Sequence, residues 1–257
     1  MFLFLRLILY KVCAEMKSKY LILQIDIGDG TQWGNKKTTD PIREIFIPSV
    51  KKYCKKHNYD YNLIKESSYE KKYGKFDFLA TKNKHYSFER YFHLANDYDY
   101  TIYIDNDVYV YDDAKQLPRF SGFANVREPE GNSSKIFRNI NNLDNTYGYY
   151  NSGVTFCDNI TAKKLSAYMI NRLDTKNRAK GKNSDNMLLN EFIIENKKIF
   201  NELGCEWNYM PFLENSPRLQ KPNFFHFVGI VGKEIINTLQ YKNIDIENFL
   251  IDIKNKK

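Results

Sequence analysis

The sequence predicts an α/β domain in which helices flank a mixed, mostly parallel sheet. Apolar strand-like segments alternate with segments of helical spacing, in the order βαβαβ, between residues 19 and 111. A hydrophobic content of 42% in 257 residues is enough to build the core of one such domain. We expect that single domain to cover residues 18–257, and we treat the apolar residues 1–17 as an extension outside it.

The first half of the chain supplies the alternating pattern. Its segments are, in order, a strand at 19–27, a helix from residue 40, a strand at 59–65, a helix at 82–96 and a strand at 98–111. Asp40 and Pro41 suit the start of the first helix, and Pro48 is expected to kink or restart it. The second helix turns an apolar face to the core, formed by Phe88, Tyr91, Phe92 and Ala95.

The second half of the chain is less regular. Residues 121–144 are rich in Asn, Gly, Ser and charged residues, which predicts either a surface loop or a segment that faces a substrate. The later segments are a strand at 149–156, a helix at 161–173 capped by Thr161, a basic loop at 176–182, a helix at 184–194 and a strand at 223–228. Ligands of largely parallel sheets bind beyond the carboxyl ends of the strands, so we expect the functional site there.

The charge of the chain limits which partners we expect it to bind. The net charge of +8 permits attraction to phosphates or peripheral contact with an anionic membrane, but Lys and Arg are scattered and no nucleic-acid motif occurs. We therefore expect no nucleic-acid partner.

The four cysteines form no Cys-x-x-Cys pair, which argues against a zinc site. Their wide spacing also favours a reducing compartment, the cytoplasm of the cell or of a host. The apolar N-terminus contains Arg6 and falls short of the ~20 residues that a transmembrane helix needs, so we expect no transmembrane span.

The end of the strand at 98–111 carries the strongest functional signal. Asp105 and Asp107 follow apolar residues and are two positions apart, so on an extended strand they share one face and can converge on a hard divalent cation. Alternatively, these acids only end the strand in a turn, where Asp is favoured. A phosphatase of the haloacid dehalogenase type also has Asp-x-Asp after a strand, but Tyr109 stands where that motif has Thr or Val. We favour the metal site, because two like charges on one face need compensation.

Four motifs occur in a recognisable order over residues 20–233. They are Ile104–Asp107, Tyr150–Val154, Ser184–Asn190 and His226–Gly229. Together they resemble the Asp-x-Asp, Asn-Ser-Gly, Asp-Gln-x-x-Leu-Asn and His-Phe-x-Gly motifs of the GT-A glycosyltransferases of the glycogenin and lipopolysaccharide galactosyltransferase family. The resemblance implies a GT-A, Rossmann-like fold. It also implies a hexosyltransferase that moves a hexose from a nucleotide-diphosphate sugar, with UDP the favoured nucleotide, to a carbohydrate, lipid-linked or protein acceptor.

The same resemblance implies roles for individual residues. It assigns the metal to Asp105, Asp107 and His226, and the imidazole favours Mn²⁺ over Mg²⁺ because it is a softer ligand than carboxylate. The residues that it assigns to the donor are Asp29, Lys84, Arg90, Asn106, Asn151, Gly153, Gly229 and Lys233. Lys233 lies one residue later than the phosphate-binding lysine of the family, where Gly232 stands.

Several of these residues also have plain structural explanations. Arg90 would otherwise be a solvated charge on its helix, and Lys84 is a weaker candidate for the same role. Asp29 between two glycines suits a turn, and Asp26 is the weaker alternative for binding the base or ribose. Without the resemblance, His226 in an aromatic strand is more simply explained as a packed core residue.

Asp185 and Asn186 are assigned as catalytic, and the stereochemistry of transfer depends on them. In the resembled family, Asp followed by Gln lies beside the sugar and transfer retains the anomeric configuration, whereas here the shorter Asn186 replaces Gln. An inverting enzyme instead needs a carboxylate base for the acceptor hydroxyl, which Asp185 could supply. We favour retention. A helix start capped by Ser184, with Asp185 in the first turn, is the structural alternative.

Two other functions fit the same residues less well. A sugar nucleotidyltransferase uses similar paired acids, but it has a basic glycine-rich loop after the first strand, and residues 28–34 contain no Arg-Lys pair. A noncatalytic carbohydrate- or nucleic-acid-binding module on the same fold would bind without turnover.

Overall fold

The computed structural model describes residues 19–27, 40–73, 86–174, 185–219, 221–239 and 246–255. In this part of the chain there are eight strands and eight α-helices. The strands are β1 (Tyr20–Ile25), β2 (Asp60–Ile64), β3 (Tyr100–Ile104), β4 (Val108–Val110), β5 (Phe123–Arg127), β6 (Tyr150–Asp158), β7 (Phe200–Leu203) and β8 (Phe224–His226). The helices are α1 (Ile47–His57), α2 (Ser68–Tyr73), α3 (Glu89–Leu94), α4 (Asn132–Asn141), α5 (Asn159–Asp174), α6 (Asp185–Glu195), α7 (Gly229–Leu239) and α8 (Ile246–Asn255).

Short helical turns accompany these elements. A π-helical turn, Ile42–Phe46, leads directly into α1, which has Pro48 in its first turn. The predicted restart of this helix at Pro48 is therefore confirmed, because proline is tolerated in a first turn and not further along a helix. Three 3₁₀ turns lie at Tyr86–Phe88, Lys197–Ile199 and Cys205–Trp207.

The main sheet has six strands in the order β2-β1-β3-β6-β5-β7. β1 pairs in parallel with β2 and with β3, and β5 pairs in parallel with β7. β6 is antiparallel to both β3 and β5, so every strand of the sheet except β6 runs the same way. The predicted mixed and mostly parallel sheet is confirmed.

Helices cover both faces of this sheet. β1 is buried throughout and alternates between two cores, with Leu21 and Leu23 in one and Tyr20 and Ile22 in the other. The first core also contains apolar residues of α3, α5 and α6, and the second contains residues of α1. A strand buried on both faces reads as an unbroken apolar run, which is why β1 was easy to predict. Among the described helices, none has the length and apolar character needed to cross a membrane.

The apolar strand predicted before the two acids is present, but its predicted extended continuation through Asp105 and Asp107 is wrong. β3 ends at Ile104, and residues 105–107 form a turn in which the Val108 N–H donates to the Asp105 carbonyl over 3.2 Å. β4 then leaves the main sheet and pairs antiparallel with β8, which makes a separate two-stranded sheet. The two acids therefore lie on a turn and not on the face of a pleated strand. The buried Asn106 holds this turn against β1 by donating its amide to the Ile25 carbonyl.

Three smaller predictions are also corrected. The predicted loop at 121–144 contains β5 and α4. On α3, Leu94 is buried and Ala95 is exposed, because the helix ends at Leu94 and Ala95 is already extended. At the start of α5, Asp158 and not Thr161 is the capping side chain, and it accepts a 2.7 Å hydrogen bond from the Thr161 N–H.

Candidate metal and donor site

The candidate site lies at the edge of the main sheet where β3 and β5 end and β6 begins. Because β6 runs against its neighbours, its first residues meet the carboxyl end of β3. The Asp105 N–H donates to the Gly153 carbonyl over 2.7 Å, and Ile104 is in register with Val154. The pairing of Val108 with His226 brings the end of β8 to the same place.

Asp105, Asp107 and His226 converge at this edge. Each offers one ligand atom, and these atoms lie within 4.8 Å of one another. The His226 Nε2 atom is 3.2 Å from Asp107 Oδ1 and 4.0 Å from Asp105 Oδ2. Two carboxylates and one imidazole form a donor set that suits Mn²⁺ or a similar divalent ion, so the residues present fit the expected metal.

Gly153 allows the three ligands to come this close. A Cβ atom at this position would lie 2.3 Å from His226 Cε1 and 2.8 Å from Asp105 Oδ2. Such distances are shorter than real side chains permit, so β6 needs a residue without a side chain beside the cluster. The position predicted for the sugar site therefore also has a packing role.

The cluster concentrates negative charge in a buried place. Burial raises the pKa of Asp105, the Arg90 guanidinium opposes that rise, and the Asp107 carboxylate adds to it. Burial disfavours the charged form of His226, but the neighbouring carboxylates of Asp107, Asp105 and Glu128 prevail and raise its pKa. A divalent cation among these groups would offset the repulsion between the acids.

Arg90 is buried and joins the parts of the site. Its Nη1 donates to the Ser152 carbonyl over 2.5 Å, and its Nη2 lies 3.3 Å from Asp105 Oδ1 and 3.1 Å from Asp185 Oδ2. The guanidinium also lies over the Tyr103 ring, 3.8 Å from its centroid. Arg90 thus connects the turn after β3 with β6 and with the start of α6, and it is not a solvated charge.

Asp185 and Asn186 begin α6 and are bonded to β6. The Ser152 hydroxyl donates to Asp185 Oδ2 over 2.7 Å, and the Ser152 N–H donates to Asn186 Oδ1 over 2.7 Å. The structure therefore brings the predicted catalytic pair next to the Asn-Ser-Gly strand and, through Arg90, next to the candidate metal cluster of Asp105, Asp107 and His226.

Asn208 was missed in the sequence, although it holds His226 in place. Its Nδ2 donates to Asn151 Oδ1 over 2.9 Å, so its Oδ1 is left to accept from His226 Nδ1, also at 2.9 Å. When the ring is neutral with its proton on Nδ1, the Nε2 lone pair faces Asp105 and Asp107, and this is the form that would bind a metal. The only sequence signal is one polar residue among the aromatic residues around it.

Glu128 was also missed. It follows β5, and its Oε2 accepts from Asn151 Nδ2 at 3.2 Å and from Asn186 Nδ2 at 3.3 Å. Burial raises the pKa of Glu128, and the two amides and the nearby His226 partly oppose that rise. The sequence gives no clear signal for Glu128, because it follows Arg127 and lies inside the predicted loop.

Three further residues predicted to bind the nucleotide-sugar donor are Asn106, Gly229 and Lys233. Asn106 is fully buried, and its Oδ1 has no hydrogen-bond partner among the described residues. Gly229 begins α7 directly beyond the end of β8, with a positive φ of 82° that favours glycine. Lys233 is exposed on α7, and a Cβ on Gly232 would lie 2.0 Å from the Phe227 carbonyl oxygen, so packing excludes a lysine at that earlier position.

Two of the residues predicted to bind the donor lie outside the described residues, and a third forms an ion pair within the protein. Asp29 and Lys84 belong to the parts of the chain that the structure does not describe. Asp26, the weaker alternative to Asp29, is buried, and both of its carboxylate oxygens accept from Arg43 at 2.8–3.0 Å. Asp26 is thus held in an ion pair at the end of β1.

Comparison with known proteins gives matches only at the level of structure. No family model and no curated sequence matches the chain. A glycosyltransferase involved in glycosylation of the major capsid of PBCV-1 is 15% identical, covers 87% of this chain and 100% of its own, and has a TM-score of 0.56. The bifunctional glycosyltransferase WbbM in its apo form is 13% identical over 84% of this chain and 47% of its own, with a TM-score of 0.50. The galactosyltransferase LgtC, in complex with donor and acceptor sugar analogues, is 11% identical over 85% of this chain and 94% of its own, with a TM-score of 0.49. The chain therefore has the fold of the GT-A glycosyltransferases, as its motifs predicted.

Proposed function

We propose that the protein is a metal-dependent glycosyltransferase that moves a hexose from a UDP-linked donor to a hydroxyl acceptor, with the cytoplasm as its expected compartment. The observation that supports this most is the convergence of Asp105, Asp107 and His226 at the ligand-binding edge of a GT-A sheet. A structural role alone would not require two acids and a buried imidazole to lie this close together.

The three ligands define where the donor diphosphate would lie. A divalent cation, Mn²⁺ in preference to Mg²⁺, would neutralise the charge that develops on the diphosphate as it leaves the sugar. α7 begins at Gly229, close along the chain to His226, and the N–H groups at the start of a helix favour anions. The exposed Lys233 lies on the first turns of the same helix and adds positive charge.

Asn151, Gly153, Asp185 and Asn186 would surround the transferred hexose. We favour retention of its configuration, because Asp185 Oδ2 is already engaged by Ser152 and Arg90 and is therefore a poor candidate for a general base. NMR of the first-formed product distinguishes the outcomes: the anomeric proton keeps the donor configuration if transfer retains it and shows the opposite one if transfer inverts it.

Release of UDP tests the function as a whole. The protein is incubated with UDP-glucose, UDP-galactose or UDP-N-acetylglucosamine, with and without Mn²⁺. We expect Mn²⁺-dependent release of UDP from at least one donor. A nucleotidyltransferase would instead require a nucleoside triphosphate and release pyrophosphate, and a binding module would give neither product.

A further inference from the structure

A cavity lies beside the candidate site and has no role in the function proposed so far. Its volume is about 310 Å³, and it opens where β5 and β7 end. Both strands run parallel to β3, so the cavity is at the same edge of the sheet as the metal cluster. Its volume is at the lower end of the range for small-molecule sites.

Glu128 forms a wall shared by the cavity and the donor site. It lines the cavity, while its Oε2 accepts hydrogen bonds from Asn151 and Asn186, which would surround the hexose. Asn208, which holds His226, lines the cavity as well. A ligand in the cavity and a sugar at the metal cluster would therefore meet at Glu128.

The lining of the cavity combines apolar and hydrogen-bonding groups. Leu203, Tyr209 and Met210 contribute apolar and aromatic surface. Glu128 and Glu202 contribute carboxylate oxygens, which accept hydrogen bonds from hydroxyl groups. An apolar surface with a few fixed polar groups suits a pyranose ring, whose C–H faces are apolar and whose edges carry hydroxyls.

The charged residues of the lining indicate which sugars fit. Glu128, Glu130 and Glu202 line the cavity, and Arg127 is its basic lining residue. Glu130 is paired with Arg138, whereas Glu128 and Glu202 have no ion pair with Lys or Arg among the described residues. Carboxylates accept hydrogen bonds from hydroxyls and repel anions.

We propose that this cavity binds the acceptor as a neutral pyranose, one hydroxyl of which donates a hydrogen bond to Glu128. The inference rests on the proposed function, because Glu128 is what connects the cavity to the donor site. Uronic acids and phosphorylated sugars are excluded by their charge.

Ligand-observed NMR tests this assignment. Saturation transfer is measured for methyl β-glucopyranoside, methyl β-galactopyranoside and methyl β-glucuronide with the full chain in the presence of UDP and Mn²⁺. We expect transfer to at least one neutral glycoside and little to the glucuronide. Transfer to none of the neutral glycosides, or stronger transfer to the glucuronide, would overturn the proposal.

Two variants locate the binding. Ser216→Trp fills the cavity and should abolish saturation transfer, whereas Ile160→Trp, which adds the same ring at an exposed position at the start of α5, should leave it unchanged. Glu128→Gln should raise the affinity for the glucuronide about tenfold, because it removes a repelling charge. Unchanged binding in Ser216→Trp with an unaltered melting temperature, or an unchanged glucuronide affinity in Glu128→Gln, contradicts the assignment.

Failure of this inference can be told apart from failure of the proposed function. If the protein releases UDP from a UDP-hexose with Mn²⁺ but binds no neutral glycoside, only the acceptor assignment is overturned. If it neither releases nor binds UDP with Mn²⁺, the function is overturned and the acceptor assignment fails with it.

Discussion

At the scale of single residues, His226 shows how hydrogen bonds would prepare a ligand for the proposed metal. Asn208 and His226 are both buried, and Asn208 accepts from the ring nitrogen that faces away from the acids. The Asn151 amide in turn fixes the orientation of Asn208. Two side chains that would not touch the metal therefore determine which nitrogen is available to bind it.

Replacing Asn208 tests this arrangement. Asn208→Ala should lower the affinity for Mn²⁺ by about 10–100-fold, because the imidazole loses its fixed tautomer and orientation. Asn201→Ala is the matched control, since among the described residues the Asn201 amide donates only to the Ser121 and Phe123 carbonyls, which are not part of the cluster. Titration followed by electron paramagnetic resonance measures the affinity, and equal values for the two variants would refute the role of Asn208.

Asp107→Asn tests the metal site itself. It keeps the shape of the side chain but removes a charged ligand, so Mn²⁺-dependent UDP release should fall by about 100-fold or more. The fold should persist, because the backbone contact between the Asp107 carbonyl and the Phe227 N–H does not involve the side chain. An intact circular dichroism spectrum with undiminished turnover would remove the site assignment.

The sequence could predict some site residues and not others. Asp105, Asp107 and His226 belong to short motifs with a recognisable order. Glu128 and Asn208 belong to none of these motifs. Each contacts Asn151, which is 23 residues from Glu128 and 57 residues from Asn208 in the chain. Only the pairing of distant segments reveals such contacts.

At the scale of elements, the turn between β3 and β4 brings the two acids together. Strand alternation predicted that Asp105 and Asp107 would converge, but they do so because the chain turns and enters a second sheet. That second sheet also carries His226. Where a strand leaves its sheet depends on its tertiary partner β8, about 115 residues later, and local pattern does not encode it.

The close approach of β6 to the cluster can be tested at Gly153. Gly153→Ala should abolish tight Mn²⁺ binding and cost about 1–3 kcal/mol of stability, because the added Cβ overlaps His226 and Asp105. Gly131→Ala is the control, since the nearest atom to its added Cβ is a carbonyl oxygen at 3.8 Å. Mn²⁺ titration and urea unfolding measure both effects, and identical behaviour of the two variants would contradict the packing.

β5 was missed because a polar residue inside it resembles a loop residue. Asn125 is fully buried, and its Nδ2 donates to the Asn151 and Val154 carbonyls and to the Thr155 hydroxyl. These bonds compensate for burying the Asn125 amide nitrogen, whereas Oδ1 has no hydrogen-bond partner among the described residues. An asparagine is expected to be exposed to solvent, but the hydrogen bonds to β6 allow Asn125 to be buried.

At the scale of the whole molecule, Arg90 links separate parts of the fold. It joins α3 to the turn after β3, to β6 and to α6. Breaking a buried pair leaves an uncompensated charge. Stability and the geometry of the site should therefore depend on the same guanidinium.

Arg90→Lys should destabilise the protein by about 3–5 kcal/mol, because an ammonium keeps the charge but cannot reach all three partners at once. Arg172→Lys is the control: Arg172 is 45% exposed and pairs with Glu195 on the surface, where a change of less than about 1 kcal/mol is expected. Urea unfolding measures both variants. A loss for Arg90→Lys no larger than that of the control would show that the buried contacts do not contribute to stability.

The architecture as a whole was more predictable than its details. Alternating apolar segments predicted the mostly parallel sheet, because strands such as β1 are buried on both faces. The order of β6, β5 and β7 could not be predicted in the same way, because it depends on one antiparallel strand inserted between parallel ones.

Anomalous diffraction from crystals grown with Mn²⁺ and UDP tests the central claim most directly. We expect a manganese peak among the Asp105 and Asp107 carboxylates and His226 Nε2, with the diphosphate of UDP in contact with it. Bound UDP with no peak among these three side chains, or a manganese peak only elsewhere in the molecule, would contradict the account.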